Sequence, residues 1–356
     1  MTLTAVTVRD FRNLASLDIT LPEQGVVILG PNGHGKTNLL EALYYLVLFR
    51  SLRGAKDREL VRFGSDGFFV GGRNEKHVTA GYEVRGRRKK VTVDGVEQRR
   101  LGEAVGAVTA VVFAPADRTM VTGGPAARRR YLDIVLALSS PRYLTSLSSM
   151  RAALKQRNAA LRRAKAQEAM AFDAPFALAA SQVGDARRRW VAQWAKRFGK
   201  LSHDLGEAGT PIIEYRAHHG REDDDAENLE RALTSSIDRD LQRGMTTMGP
   251  HRDDLALSLD GRDLRRYGSA GQHRTAAIAL RLLEAATLTA ARGTAPIGLY
   301  DDVFAELDAD RQARLLALIQ DELPGQAIIA APRESEVPAS LLDRPRWEMQ
   351  HGTVTT

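Results

Sequence analysis

The chain has 356 residues, of which 43% are hydrophobic and 27% charged, as in a folded protein of roughly two or three domains. It contains no cysteine, which excludes disulfides, thiolate nucleophiles and cysteine-ligated zinc or iron–sulfur centres. The net charge of +7 permits a polyanionic partner. Because residues 1–10 lack an apolar secretory core and no run of about 18 apolar residues occurs, we expect a cytoplasmic protein with no membrane contact.

The beginning of the chain is predicted to be rich in strands. Apolar and polar side chains alternate in residues 3–8 and 17–21. Residues 26–29 form a short apolar run, which is typical of a strand buried on both faces. A glycine-rich loop and a helical pattern follow, so strand, loop and helix come in succession. Residues 68–112 are expected to be mainly β, with a hairpin turn at Asp94-Gly95, where both residues need positive φ.

The middle of the chain is predicted to be helical and basic. Residues 132–138, 143–161 and 177–205 carry helical patterns dominated by Ala, Leu and Arg. Between residues 128 and 200 there are 16 Lys or Arg and 4 Asp or Glu. The local balance of +12 leaves −5 for the remainder of the chain, so the positive charge is concentrated in one stretch, as in an electrostatic footprint.

The last part returns to a mixed pattern. A second Asp-Gly turn is expected at Asp260-Gly261, and a long helix is expected over residues 272–292. Two apolar strands, residues 297–300 and 327–331, enclose a helix over residues 309–323. These patterns predict an α/β protein in which two mixed parts flank a helical insertion. We place the limits at residues 1–116, 117–245 and 246–356.

A phosphate-binding loop follows the first buried strand, because residues 30–37 fit the pattern G-x-x-x-x-G-K-S/T. Glycines allow backbone N–H groups to surround phosphate oxygens, and the following helix directs its N-terminus at the anion. Lys36 is expected to bind the β- and γ-phosphates of ATP, and the Thr37 hydroxyl to ligate Mg²⁺. The candidate cofactor-binding residues here are Gly30, Pro31, Asn32, Gly33, His34, Gly35, Lys36, Thr37 and Asn38.

Two acids follow the strand at residues 297–300. The carboxyl end of a parallel strand lies beside the phosphate site, so Asp301 is expected to hold Mg²⁺, directly or through water. Asp302 is the candidate catalytic residue, together with Lys36, and would orient or deprotonate the attacking water. Because aspartate is one methylene shorter than glutamate, we expect slow hydrolysis.

The long helix opens with the residues Gly268-Ser269-Ala270-Gly271-Gln272. Ser269 is a good N-cap and Gly271 allows close backbone approach, so on its own this segment is a capped helix. In combination with the phosphate loop and the acid pair, it resembles the signature motif of ATP-binding-cassette ATPases. The resemblance implies that Ser269, Gly271 and Gln272 of one subunit complete the nucleotide site of another. Glu306-Leu307-Asp308 resembles the loop that crosses such a dimer interface.

An ordered set of motifs runs along nearly the whole chain: residues 11–14 (FRNL), 36–42 (KTNLLEA), 111–115 (VVFAP), 128–133 (RRRYLD), 154–158 (LKQRN), 249–255 (GPHRDDL), 271–275 (GQHRT) and 301–308 (DDVFAELD). This set resembles the RecF family, bacterial DNA replication and repair proteins related to the heads of SMC proteins. The chain departs from the family at His273, where a second Gln is usual, and at Ala331-Pro332, where a Thr-rich segment is usual. The stretch after Val112 is our candidate for the family's glutamine loop.

The resemblance implies an ATPase head of the cassette type, with a mixed sheet, an antiparallel β subdomain and an inserted helical lobe. It implies a weak, DNA-stimulated ATPase that works as a conformational switch. Such a protein forms an ATP-dependent homodimer on double-stranded DNA near gapped junctions and helps load RecA together with RecR and RecO. The basic runs of the insertion supply the candidates for phosphate contacts: Arg128, Arg129, Arg130, Arg162, Arg163, Arg187, Arg188 and Arg189.

Other classes of P-loop protein remain as alternatives. Another cassette or SMC-type head acting in chromosome maintenance is the nearest, although no heptad arms interrupt the chain. A transporter subunit would not need the basic insertion. A kinase would not need the segment at residues 268–272, and a nuclease would need a further acidic metal cluster, which we do not find in the sequence.

Overall fold

The computed structural model describes residues 1–218, 225–304 and 307–355. The strands are β1 (Ala5–Phe11), β2 (Leu14–Thr20), β3 (Gly25–Leu29), β4 (Gly67–Arg73), β5 (His77–Glu83), β6 (Arg88–Val93), β7 (Val96–Glu97), β8 (Ala110–Phe113), β9 (Pro211–Arg216), β10 (Asp254–Leu259), β11 (Arg262–Asp263), β12 (Ile297–Asp301), β13 (Ala327–Ala331), β14 (Arg346–Gln350) and β15 (Thr353–Thr355).

The helices include the long elements of the predicted insertion. They are α1 (Lys36–Leu48), α2 (Asp57–Leu60), α3 (Leu101–Ala104), α4 (Thr119–Thr122), α5 (Pro125–Ser139), α6 (Pro141–Arg162), α7 (Ala166–Met170), α8 (Asp173–Asp204), α9 (Ala226–Ser235), α10 (Ile237–Arg243), α11 (Leu264–Tyr267), α12 (Ala270–Arg292) and α13 (Ala309–Glu322). Within the residues that the structure describes, no helix is both long and apolar enough to span a membrane.

The chain divides into two compact units. The first, the head unit, consists of Met1–Asp117 and Leu280–Thr356, and the second, the lobe unit, consists of Arg118–Ala279. The lobe unit therefore includes residues 246–279, which the predicted limits place in the last part. Helix α12 begins in the lobe unit and ends in the head unit.

A mixed sheet in the head unit carries the strands that lead to the phosphate loop and the acid pair. Its strand order is β15-β14-β3-β13-β12-β8, and all pairs are parallel except β14 with β15. Every residue of β12 and of β13 is buried, which explains their continuous apolar sequences. Because β3 and β12 flank β13 in parallel, their carboxyl ends lie at the same edge of the sheet.

The second sheet of the head unit is antiparallel, with the order β2-β1-β4-β5-β6-β7. The predicted hairpin turn is confirmed, since Asp94 and Gly95 have φ of 51° and 81° and Val93 pairs with Val96. Phe68 packs edge-on to Phe11, with ring centroids 5.2 Å apart. Together with the mixed sheet, this sheet confirms the predicted α/β class.

The lobe unit combines helices with a small antiparallel sheet of order β11-β10-β9. The three predicted helices are confirmed as parts of α5, α6 and α8. Strand β9 was not predicted. Ile212 and Glu214 are exposed, whereas Ile213 is buried. Because two isoleucines are adjacent, apolar and polar residues do not alternate along this strand.

A buried arginine organises the lobe unit. Arg157 on α6 is fully buried, and its Nε donates to Asp173 Oδ1 at 2.7 Å. Its Nη1 donates to Asp240 Oδ2 at 2.6 Å and to the Thr246 hydroxyl at 2.9 Å. Because a buried charge is tolerated only when it is paired, these contacts fix α6 against α8 and α10.

Candidate nucleotide-binding site

The phosphate loop joins β3, which ends at Leu29, to α1, which begins at Lys36. Its first residue must be glycine, because a Cβ at Gly30 would lie 2.3 Å from the carbonyl oxygen of Met349. Gly30, Gly33 and Gly35 all have positive φ, so the backbone curls as a phosphate-binding nest requires. The predicted succession of strand, loop and helix is confirmed.

Lys36 lies folded over this loop. Its side chain is buried, with 4% exposure, and Nζ donates to the carbonyl oxygens of Gly30 and Pro31 at 2.6 and 3.1 Å. These backbone carbonyls hold the ammonium beside the loop, where an anion would meet it. The geometry is compatible with phosphate binding by Lys36, which stays a prediction.

Thr37 and Asp301 are in direct contact although 264 residues separate them. The Thr37 hydroxyl donates to Asp301 Oδ1 at 2.8 Å. Burial raises the pKa of Asp301, and the hydrogen bond from Thr37 opposes this only in part. The structure thus brings together the two oxygen donors that we predicted as Mg²⁺ ligands.

These donors fit a magnesium ion by their chemistry. Mg²⁺ usually takes one or two protein oxygens and completes its shell with phosphate and water. In the described part of the chain no group of three or more His, Cys, Asp or Glu could hold a metal by itself. The residues therefore fit a Mg²⁺ site in which Thr37 and Asp301 supply two oxygens and the nucleotide phosphates supply others.

Asp302 follows in a left-handed backbone conformation, with φ of 49°. Its Oδ1 is buried and, among the described residues, has no hydrogen-bond partner. Burial raises the pKa of Asp302, while the positive charge of Lys36 lowers it and the negative charge of Glu336 raises it. A carboxylate with a raised pKa and a free acceptor atom is suited to general-base chemistry.

Glu336 was not among the predicted site residues. It is half-buried in a short 3-10 turn, Glu334–Glu336, that follows β13. Nothing in the sequence around Glu336 indicates that it lies near Asp302. The influence of its charge on the pKa of Asp302 depends on β13 lying beside β12 in the sheet.

A buried carboxylate on α1 binds two arginines near the start of this helix. Glu41 is fully buried and accepts hydrogen bonds from Ser51, Arg53 and Arg12 at 2.6, 2.6 and 3.1 Å. Burial alone would raise the pKa of Glu41, but these three hydrogen bonds together lower it below its ordinary value. The carboxylate therefore stays ionised and holds two arginines around the first turns of α1.

The turn between β1 and β2 also contacts the loop. Asn38 donates to Asn13 Oδ1 at 2.8 Å, and Arg53 donates to Asn38 Oδ1 at 2.5 Å. A Cβ at Gly35 would lie 3.1 Å from the Asn13 side chain. Asn38 thus connects α1 to the β1–β2 turn through Asn13 and to Arg53. These contacts account for the orientation of its side chain, and its contact with nucleotide stays a prediction.

Ser269 forms a capping box at the start of α12. The Gln272 N–H donates to the Ser269 hydroxyl at 3.2 Å, and the Gln272 side chain accepts from the Ser269 N–H at 2.9 Å. This confirms Ser269 as an N-cap. Ser269 is exposed and Gly271 half-exposed, so the helix N-terminus is open to a ligand. His273, the departure from the family, donates from Nε2 to the carbonyl oxygen of Leu264 at 2.7 Å. Glu306 lies outside the described residues.

Two of the arginines predicted to contact DNA are instead buried in ion pairs. Arg128 is 5% exposed and forms two 2.8 Å hydrogen bonds with the Asp254 carboxylate. Arg187 is 1% exposed and contacts Asp133 at 2.7 Å and the Tyr143 hydroxyl at 3.1 Å. Both guanidinium groups therefore serve the interior of the lobe unit.

The other predicted arginines are more accessible. Arg130, Arg162, Arg163 and Arg189 are exposed, whereas Arg129 and Arg188 are half-buried. Surface partners, Glu168 for Arg163 and Asp185 for Arg189, lie at 3.0 and 2.6 Å. Such exposed pairs contribute at most about 1 kcal/mol, so they leave these arginines available for phosphate.

His251, in the segment at residues 249–255, is a half-buried neutral base. Its ring packs edge-on to Phe176 at 5.7 Å, and Nδ1 has no hydrogen-bond partner among the described residues. The pKa of His251 is lowered from 6.5 to about 4, mainly by burial; the hydrogen bond to the Thr246 carbonyl opposes this shift, and the positive charges of Arg252 and Arg129 contribute to it. These contacts describe a structural histidine.

This histidine should make the fold sensitive to acid. Between about pH 6.5 and 4 the unfolded chain binds a proton at His251 that the native chain does not, so native stability should fall by about 3 kcal/mol as the pH is lowered. Urea unfolding of the parent and of His251→Gln at pH 7, 5.5 and 4.5 measures this effect. The variant should lose less stability on acidification, and identical pH dependence would remove His251 as the cause.

The chain is similar to known proteins over its whole length. A family model for an AAA domain matches residues 5–110. A DNA replication and repair protein RecF from Anaeromyxobacter sp. (strain Fw109-5) is 37% identical over 100% of this chain and 99% of its own. The chain belongs to the RecF family. Another RecF, from Acidothermus cellulolyticus, is 40% identical over 90% of this chain and 91% of its own.

Solved structures agree with this membership. The recombination mediator protein RecF with ATP, from the RecFOR pathway, superposes with a TM-score of 0.90 at 30% identity, covering 99% of this chain and 97% of its own. The Smc head domain of Pyrococcus furiosus gives a TM-score of 0.58 at 14% identity, covering 99% and 95%. RecF and Smc heads thus share the fold predicted for this chain, and this member of the RecF family has the P-loop ATPase architecture.

Proposed function

We propose that this protein is an ATP-switched, DNA-binding clamp of recombinational repair. The observation that carries the proposal is the contact between Thr37 of the phosphate loop and Asp301 at the end of β12. This contact joins the two halves of a nucleoside-triphosphatase site that lie far apart in the sequence. Membership of the RecF family, one of whose members was solved with ATP, supports ATP as the nucleotide.

Each side chain of the nucleotide site has a separate role in ATP hydrolysis. Lys36 leaves the carbonyls of the loop and neutralises the β- and γ-phosphates of ATP. Asp302 accepts a proton from the attacking water, and the oxygen of this water adds to the γ-phosphorus as the bond to the leaving ADP oxygen breaks. Thr37 and Asp301 would hold Mg²⁺, which supplies positive charge against the charge that develops on the phosphates. The short reach of Asp302 makes turnover slow.

A second copy completes the site. The exposed N-terminus of α12, with Ser269 as its cap and Gly271 beside it, offers N–H groups and a positive dipole to the γ-phosphate held by another protomer. Gln272 stays in the capping box and orients the serine. Two ATP molecules then join two copies, and hydrolysis releases them, so the ATPase works as a switch.

Double-stranded DNA near gapped junctions is the proposed polyanion. The exposed arginines of the lobe unit, Arg130, Arg162, Arg163 and Arg189, contact backbone phosphates. RecR is the proposed protein partner, and through it RecO and RecA, because the structural relatives act in the RecFOR pathway. DNA stimulates the ATPase by favouring the dimer.

Size analysis with ATP and a gapped duplex tests the whole proposal. ATP should convert monomer to dimer, and DNA affinity should rise at least about tenfold with it, since two copies then hold one duplex. A monomer that binds no ATP would refute the clamp. A monomer that binds ATP and DNA independently would favour an ATPase of another class.

The same binding assay can locate the DNA contacts. Removing an arginine that binds one phosphate should lower the slope of log affinity against log salt by about 0.9. Because both copies of the dimer carry the substitutions, the double variant Arg162→Gln, Arg163→Gln should reduce this slope by about 1.8 per copy, or about 3.6 for the dimer, while keeping the ATP-dependent dimer. Arg314→Gln, on the exposed face of α13 in the head unit, is the matched control and should leave the slope unchanged.

A further inference from the structure

The turn of the C-terminal hairpin lies against the phosphate loop. The last pair of the β14–β15 hairpin joins Gln350 to Thr353, which leaves His351 and Gly352 as the turn, both at positive φ. The Gly352 N–H donates to the carbonyl oxygen of His34 at 2.8 Å. The rings of His34 and His351 lie 4.4 Å apart, tilted by 32°. The turn therefore contacts the loop through both backbone and side chain.

The loop is enclosed on two sides by this hairpin and by the β1–β2 turn. A Cβ at Gly30 would meet the carbonyl oxygen of Met349 on β14 at 2.3 Å. On the other side, Gly35 approaches the Asn13 side chain, and a Cβ at Gly352 would meet the Asn13 carbonyl oxygen at 2.4 Å. The hairpin turn, the β1–β2 turn and the phosphate loop thus pack backbone against backbone.

The hydrogen bond to His34 also orients the next N–H group. In a planar trans peptide the C=O and the N–H point in opposite directions. With the His34 carbonyl held toward Gly352, the Gly35 N–H points away from the hairpin. Since Gly35 has no Cβ, this peptide could otherwise rotate at little cost. The hairpin therefore fixes the direction of an N–H group of the kind that binds phosphate.

We propose that the β14–β15 turn is a positioning element of the nucleotide site, in which His351, stacked on His34, and Gly352, bonded to the His34 carbonyl, hold the phosphate loop ready for ATP. The inference rests on the proposed function, since ATP is the ligand. It assigns a role to His351, which no motif of the nucleotide site includes. Holding the loop in advance removes part of the ordering cost of binding. His351 is a positioning residue, because it touches the loop.

The variant His351→Asn tests the stacking separately from the turn. Asn-Gly is a favoured pair for a hairpin turn with two positive φ values, so the backbone should keep its conformation while the ring is removed. ATP affinity measured by calorimetry should fall roughly three- to tenfold, the range expected for one aromatic contact. Because the same contact is lost from the free protein, the thermal midpoint should fall by only about 2–4 °C, and the ring resonances of His34 should lose the shift caused by its neighbour.

A rescue variant, a control and a double-mutant cycle complete the test. His351→Phe should restore most of the affinity, whereas His77→Asn, an exposed histidine on β5, should leave it unchanged. His34→Ser should weaken binding as His351→Asn does, and the double variant should be no worse than either single one. Additive losses, or parental affinity in His351→Asn, would overturn the inference while leaving ATP binding intact. A parent chain that binds no ATP would instead overturn the proposed function and the inference with it.

Discussion

ATP hydrolysis by Lys36→Arg is expected to be about 10² to 10³-fold slower than by the parent chain, the usual effect of removing one preorganised charge from a transition state. Lys36 is buried and its ammonium fits between the carbonyls of Gly30 and Pro31. A planar guanidinium is larger and presents its donors in a fixed fork, so it can neither fold over the loop nor converge on the β- and γ-phosphates.

Steady-state phosphate release with saturating ATP measures this effect, and calorimetry separates the loss of binding from the loss of turnover. Lys56→Arg, at an exposed lysine of the same unit, is the matched control and should hydrolyse ATP at the parental rate. Thermal midpoints of the two variants check that the head unit is folded. If Lys36→Arg turned over ATP as the parent does, the phosphate loop would not be the site of hydrolysis.

Ser269→Arg is expected to abolish the ATP-dependent dimer while leaving ATP binding by the monomer intact. Ser269 is exposed at the N-terminus of α12, where the proposed function places the γ-phosphate of a second copy. A long cationic side chain there fills the space that the other protomer must enter. The hydrogen bonds of Ser269 lie within the first turn of α12, so we expect the substitution to leave the protomer's own phosphate loop unchanged.

Sedimentation velocity with ATP measures the dimer fraction. The variant also loses the capping box, which costs about 1 kcal/mol, so Ser269→Ala serves as the control that loses the cap without adding bulk. We expect Ser269→Ala to show a similar fall in thermal midpoint and to retain a measurable dimer. A dimer fraction in Ser269→Arg equal to that of the parent would show that the serine-capped helix lies outside the interface.

The nucleotide site was predictable because its signals are local. The phosphate loop needs glycines, lysine and threonine at fixed spacing, and Asp301 stands at the end of an apolar strand. A parallel arrangement of these strands then suffices to bring Thr37 and Asp301 together. The hairpin at Asp94-Gly95 was predictable for the same reason, since two neighbouring residues determine its φ values.

The features that could not be predicted from the sequence depend on contacts between residues that are far apart in the chain. Arg128 and Arg187 look like surface charges in the sequence, but their partners Asp254 and Asp133 lie 126 and 54 residues away, and net charge cannot reveal such pairing. Glu336 reaches the site only through the order of strands in the sheet. The contact of His351 with the phosphate loop likewise follows from the position of β14 beside β3.

That strand order has a consequence for synthesis on the ribosome. β3, which ends at the phosphate loop, is hydrogen-bonded to β13 and β14, which are translated some 300 residues later. The nascent polypeptide therefore carries the loop for most of its translation with no sheet to hold it, because pairings between distant segments form late. Nucleotide capture by an ordered loop must therefore await the synthesis of β13 and β14, so we expect shorter nascent chains to compete poorly with finished ones for ATP.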